Sequence, residues 1–195
     1  MYTADSDSYL ARAKSCLEKS EAAFRFYAAF ELRCYVEQRQ HELLLAQERY
    51  RRSLPKKFEL AKQHRELNRI FGRNEIQSIT STFADGWTIE FRYVPVSSFL
   101  KRRAQRLDQF RHALSEDMDD SMLGEFHGFL TSTTKMADEC ASGNMLSPAL
   151  MSKEGVIGDI QVKLGSEDPV EMKRRFVAGT QVNLSVRYLP FECVE

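Results

Sequence analysis

Residues 27–44 read YAAFELRCYVEQRQHELL, and the facing of this stretch decides how the chain folds. It holds no Gly or Pro, and the helical pattern around it continues to about residue 52. On a helical wheel Ala23, Phe26, Tyr27, Phe30, Cys34, Leu44 and Leu45 fall on one arc. Glu37 and His41 fall inside that arc, and Arg33 sits at its edge. A second, narrower strip carries Ala29, Leu32, Val36 and Leu43. Two apolar strips predict a central helix buried on two sides. Arg33, Glu37 and His41 are spaced i,i+4, so the three can touch in sequence as a buried polar ladder. Buried charges need partners. The ladder is either a structural device that fixes packing register or the edge of a polar cavity in which Glu37 orients His41 or Arg33 holds an anion.

Outward from this helix the pattern stays helical on both sides. Ser6 or Ser8 can cap a short helix to about Lys19, with Leu10, Ala13 and Leu17 on one face. Pro55 can open a further helix, PKKFELAKQHRELNRIFG, with Gly72 as its stop. The period then changes. IQSITSTFADGWTIEFRYVPV alternates on both sides of Asp85-Gly86, a β-hairpin signal. Ser97 or Ser98 caps FLKRRAQRLDQFRHALSEDM, whose apolar stripe is Leu100, Ala104, Leu107, Phe110 and Leu114. Another helix runs from about Asp120 to Ala141, followed by the loop SGNMLSP. DIQVKL and TQVNLSVRYLP alternate as strands around a short helix, PVEMKRRFVAG. Each strand has one apolar and one polar face, which suits a mostly antiparallel sheet with one side wet.

The fold class is therefore α+β: a helical bundle of four to five helices with an inserted β-hairpin at about 75–95 and a small, mostly antiparallel C-terminal sheet. Residues 1–145 form the bundle with its hairpin insertion, and residues 150–195 form a β-α-β appendage packed on the hairpin.

Bulk composition removes several classes of function. Of 195 residues, 43% are hydrophobic and 29% charged, as in an ordinary globular protein. The formal net charge is zero, so no global field draws the chain onto nucleic acid or an anionic membrane. No apolar run approaches the roughly 20 residues of a membrane span. The N-terminal MYTADSDSY is acidic where a signal peptide would be basic, so the expected location is cytoplasmic. Cys16, Cys34, Cys140 and Cys193 are scattered, as buried thiols of a reducing compartment would be. The four His show no zinc-ligand spacing, and neither a metal nor a cofactor is expected.

Charge is nonetheless uneven. Residues 49–73 hold nine basic side chains against two acids, and residues 101–111 hold five against Asp108 alone. The segment 115–139 reverses the sign, with Glu116, Asp117, Asp119, Asp120, Glu125, Asp138 and Glu139. Such complementary patches can bind RNA on one side, or pair two subunits, or receive a protein partner at the acidic segment.

SYLARAKSCLEKS followed by FYAAFELRCYVEQRQHELL resembles the first two helices of HEPN (higher eukaryote and prokaryote nucleotide-binding) proteins. The short Leu-x-x-Ala-x-x-x-Leu helix and the Ala-Ala-x-Glu-Leu-Arg-x-x-Glu helix carry the likeness over residues 8 to 50, and helix order extends it to about residue 141. The resemblance implies a homodimerising interaction module of a bacterial defence or toxin-type system. It also implies, for catalytic members, a metal-independent endoribonuclease whose Arg-x4–6-His motif is completed across the dimer. One match exists here, RLDQFRH from Arg106 to His112. In that chemistry His112 would be general acid or base and Arg106 would stabilise charge on phosphate. Arg51, Arg52, Lys56, Lys57, Arg102 and Arg103 would hold the RNA backbone. The pair is separated by about 240° on a regular helix, and Leu107 stands where the family favours a polar residue. A small-ligand-binding α+β domain is the remaining alternative.

Overall fold

A computed structural model of the chain describes residues 3–46, 59–71, 75–112, 119–149, 162, 174 and 182–190, the side chains of 109–112 excepted. The described residues make an α+β protein of five helices and one three-stranded antiparallel sheet. They divide into two compact units. The described residues of Met1–Asn74 and Val96–Ala141 form a helical unit, and those of Glu75–Pro95 and Ser142–Glu192 form a sheet unit.

The helical unit consists of α1 (Ser6–Leu17), α2 (Ala22–Leu45), α3 (Leu60–Phe71), α4 (Ser98–His112) and α5 (Asp120–Ala141). Asp5, not Ser6 or Ser8, caps α1 by accepting the Ser8 amide at 2.8 Å. Ser6 is drawn elsewhere. Its N–H and hydroxyl both donate to the Glu42 carboxylate, at 3.0 and 2.6 Å, tying α1 to the end of α2. Arg12 pairs with Glu31 at 2.9 Å along the same seam.

The α2 helix packs against each of the other four helices, and its buried face differs from the wheel reading. Ala28, Ala29, Leu32, Tyr35, Val36, Arg39, Gln40, Leu43 and Leu44 are buried. From the broad arc, Tyr27 is 58% exposed, Phe30 47% and Leu45 39%. The expected burial of Tyr27, Phe30 and Leu45 is therefore corrected, whereas Leu44 of that arc is buried. The reason is that the narrower strip lies over Tyr35, Arg39 and Gln40, polar-tipped residues that widen it once they find partners. The Tyr35 hydroxyl donates to the Ala137 carbonyl at 2.9 Å, satisfying its polar tip inside the core.

In α3 the buried positions are Leu60, Gln63, His64 and Leu67. The expected start at Pro55 lies outside the described residues. Ser97 caps α4, its hydroxyl accepting the Leu100 amide at 3.0 Å, and Leu100, Ala104 and Leu107 are buried as the spacing predicts. Phe110 and Leu114 of that stripe lie outside the described side chains. Asp119 caps α5 through the Met122 amide at 2.8 Å, and Phe126, Leu130, Ala137 and Cys140 line its inner face.

The sheet unit contains β1 (Ile76–Phe83), β2 (Thr88–Tyr93) and β3 (Val182–Leu189) in the order β2-β1-β3. Ile79 faces Phe91 on one side and Val186 on the other. Gly86 takes φ 83° in the hairpin turn, a left-handed conformation that suits glycine, and Asp85 accepts the Trp87 amide at 3.1 Å. Gly143 is needed for packing, because a Cβ there would sit 2.9 Å from the Val94 nitrogen. The expected strand at 159–164 lies outside the described residues except Val162, which bridges Met145. Of the short helix expected after Asp168, only Arg174 is described, and it is helical.

Candidate functional site

The richest surface chemistry among the described residues lies where α4 meets α5. Helical spacing puts Phe99, Arg102 and Arg106 on outward positions of α4, away from the buried Leu100, Ala104 and Leu107, with the half-buried Arg103 at the edge of that stripe facing α5. Phe129 projects from α5 toward them. The Arg103 guanidinium carbon lies 4.1 Å from the Phe129 ring centroid, and that of Arg106 lies 5.1 Å from it. Arg102 and Arg103 approach the Phe99 ring at 5.5 and 5.7 Å. Both distances fall within cation–π range.

The three arginines do different work. Arg103 is fixed: its Nε donates to the Thr133 hydroxyl at 2.8 Å, and its Nη2 donates to the Phe129 carbonyl at 2.8 Å and to the Ser132 hydroxyl. It clamps α4 to α5, so its Nε and Nη2 donors are used within the fold. Burial, and then the Arg106 charge beside it, hold its pKa below the ordinary arginine value. Arg102 and Arg106 are exposed. Among the described residues, no carboxylate lies within ion-pair distance of Arg102, Arg103 or Arg106. Three cations crowded on two rings, with no ion-paired carboxylate among the described residues, make an anion-attracting face.

The other expected site residues are distributed as follows. Arg106 stands on this face. His112 is the last residue of α4, and its side chain lies outside the described residues, as do Arg51, Arg52, Lys56 and Lys57 entirely. Of the ladder, Arg33 and Glu37 pair at 2.8 Å, and both are half-buried at the bundle surface. Arg33 also reaches Asp108 on α4, with Nε at 3.1 Å from Oδ2. His41 is half-buried on the same side of α2. The ladder thus reads as a tie between α2 and α4, a role that the wheel of one helix could not show.

A second polar cluster lies inside the bundle. The Gln40 amide nitrogen lies 3.2 Å from His64 Nδ1, and His64 Nε2 lies 3.2 Å from the Ser98 hydroxyl. This chain links α2, α3 and the first turn of α4. Arg39, 2% exposed, approaches Glu42 at 4.0 Å nearby along α2. Sequence reasoning missed these residues. The signal was present, since 32, 36, 39, 40 and 43 share one helical face, but polarity argued for the outside.

Among the described residues no cluster of three or more His, Cys, Asp or Glu could hold a metal ion, and no helix is long and apolar enough to cross a membrane. Comparison with protein-family models, curated proteins and solved structures finds no match.

Proposed function

We propose that this chain is a HEPN-like interaction module that binds RNA through the α4–α5 face, in the defence or toxin-type setting that its first two helices suggest. The observation that carries the reading is the group Arg102, Arg103 and Arg106, stacked on Phe99 and Phe129 with no carboxylate beside them among the described residues. Arginine over an aromatic ring keeps its charge and its outward donors available while its orientation is held. A phosphodiester backbone supplies negative charge to this face, and the release of its counterions drives the association. An acidic protein surface would also supply charge, but it gains less from exposed rings than a chain carrying unsaturated bases does.

On this reading Arg102 and Arg106 contact phosphate, and Arg103 holds the two helices at the spacing that brings them together. The module binds without chemistry of its own. A ribonuclease reading shares Arg106 and is favoured by that residue's exposure on α4. It differs in requiring His112. The test is binding of a fluorescent single-stranded oligoribonucleotide. Arg102→Gln with Arg106→Gln loses most of the affinity, and wild-type affinity in that variant overturns the proposal.

A further inference from the structure

Phe99 and Phe129 share the arginine face, yet they are used differently. Phe129 is half-buried and lies beneath two guanidinium groups, at 4.1 and 5.1 Å. Its ring serves the packing of α4 on α5. Phe99 is 42% exposed, although it is the second residue of α4 and is followed by the fully covered Leu100. Arg102 and Arg103 stand at 5.5 and 5.7 Å from its ring, so cationic groups frame it while much of the ring meets water. Arg102 and Arg106 are one helical turn apart, about 6 Å along the axis. A single strand laid along α4 would meet Arg106, Arg102 and then the Phe99 ring.

We infer that Phe99 is the specificity-determining residue of this face: it stacks on an unpaired nucleobase and so selects single-stranded over double-stranded RNA. The inference rests on the RNA-binding reading above and adds the class of RNA. The physical basis is access. In an A-form duplex the bases are stacked inside, and an exposed ring on a convex helix surface meets only sugar and phosphate. In a single strand a base can turn out and lie on the ring, with Arg102 and Arg106 pairing successive phosphates on one side of it. A phenyl ring carries no hydrogen-bonding groups, so the selection is for an unpaired base and not for one base identity.

Three probes of equal length separate the contributions: a mixed-sequence single strand, its fully abasic counterpart and the corresponding duplex. Wild-type protein binds the single strand about tenfold or more tighter than the abasic strand, the scale of one stacked base. Phe99→Ala reduces that ratio to near one, whereas Phe99→Trp retains it. Because the ring is exposed, Phe99→Ala melts close to wild type. The inference is overturned if wild type binds base-bearing and abasic strands equally, or if Phe99→Ala keeps the wild-type ratio. In either case binding of all three probes that is lost in R102Q/R106Q still upholds the RNA-binding reading. Absence of binding to every probe by wild type defeats both.

Discussion

Gln40 on α2 places its side-chain nitrogen 3.2 Å from Nδ1 of His64 on α3, in a part of the bundle where Gln40 is fully buried and His64 is 6% exposed. The contact fixes the His64 ring, whose other nitrogen meets Ser98. Burial first, and the Lys101 charge second, lower the His64 pKa below the ordinary histidine value. Neutral imidazole is therefore the form the fold accommodates.

A pH dependence follows, and its sign is fixed. Above the unfolded histidine value of about 6.5, both states leave His64 neutral and stability is full. As pH falls through that value, the unfolded chain takes up a proton that the folded chain refuses. Stability is lost until pH reaches the lower folded pKa. Chemical denaturation at pH 7 and pH 5 should show a smaller unfolding free energy at pH 5. His64→Gln should reduce that difference while costing about 1–2 kcal/mol at pH 7. An unchanged difference in His64→Gln would place the proton-linked group elsewhere.

The Arg33–Asp108 tie gives a second expectation. Arg33 is half-buried and bonded to both Glu37 and Asp108, so its loss removes two ionic contacts at once. Arg33→Ala should destabilise by about 1–2 kcal/mol, and Glu37→Ala or Asp108→Ala by about 0.5–1 kcal/mol each, because both pairs keep contact with water. A double-mutant cycle on Arg33 and Asp108 reads the coupling directly. A loss of several kcal/mol for Glu37→Ala would mean a dry ladder instead of a surface tie.

The described cysteines should be poor nucleophiles. Burial, then Glu37 and Glu31, push the Cys34 thiol up to about 11, and burial also raises Cys16 and Cys140. Thiol titration of the native protein at pH 8 should be slow at all three, slowest at the enclosed Cys140, and fast after unfolding. Rapid native labelling of Cys34 would contradict the burial described for it.

Much of this architecture is legible in the sequence, and the failures have physical causes. The hairpin is readable because Asp85-Gly86 supplies a turn whose Gly86 adopts positive φ, between runs of period two. The inner face of α4 is readable because Leu100, Ala104 and Leu107 are its only regular apolar stripe in the described turns. In α2 there were two stripes, and periodicity gives an angle without saying which side faces the core. Tyr27 and Phe30 looked buried by hydrophobicity, whereas Tyr35, Arg39 and Gln40 are buried because Ala137, Glu42 and His64 receive their polar groups. Ala137 and His64 lie on helices that the wheel of α2 does not contain, and Glu42, three residues along α2, is itself polar and did not mark that face as inner. The same holds for the functional face. Arg102 and Arg103 could be named from a run of basic residues, but the distinction between a clamped Arg103 and an outward Arg102 depends on Thr133 and Phe129, about thirty residues away.

The catalytic alternative has its own expectation. If the chain cleaves RNA, cleavage should resist chelators, and His112→Ala should abolish it while leaving the melting temperature unchanged. Retention of the wild-type rate in His112→Ala would remove that residue from the site. Binding without cleavage in the wild type is the result expected of a module without chemistry of its own.

The central claim is that Arg102 and Arg106 neutralise RNA phosphates, and the salt dependence of binding tests it most directly. The affinity for a single-stranded oligoribonucleotide should fall with salt along a linear log–log plot, each phosphate contact contributing a slope of about 0.7. In R102Q/R106Q the slope should decrease in magnitude by about 1.4, the share of two contacts, and the affinity at low salt should drop with it. A slope and an affinity equal to those of the wild type would show that the α4–α5 face does not carry the RNA.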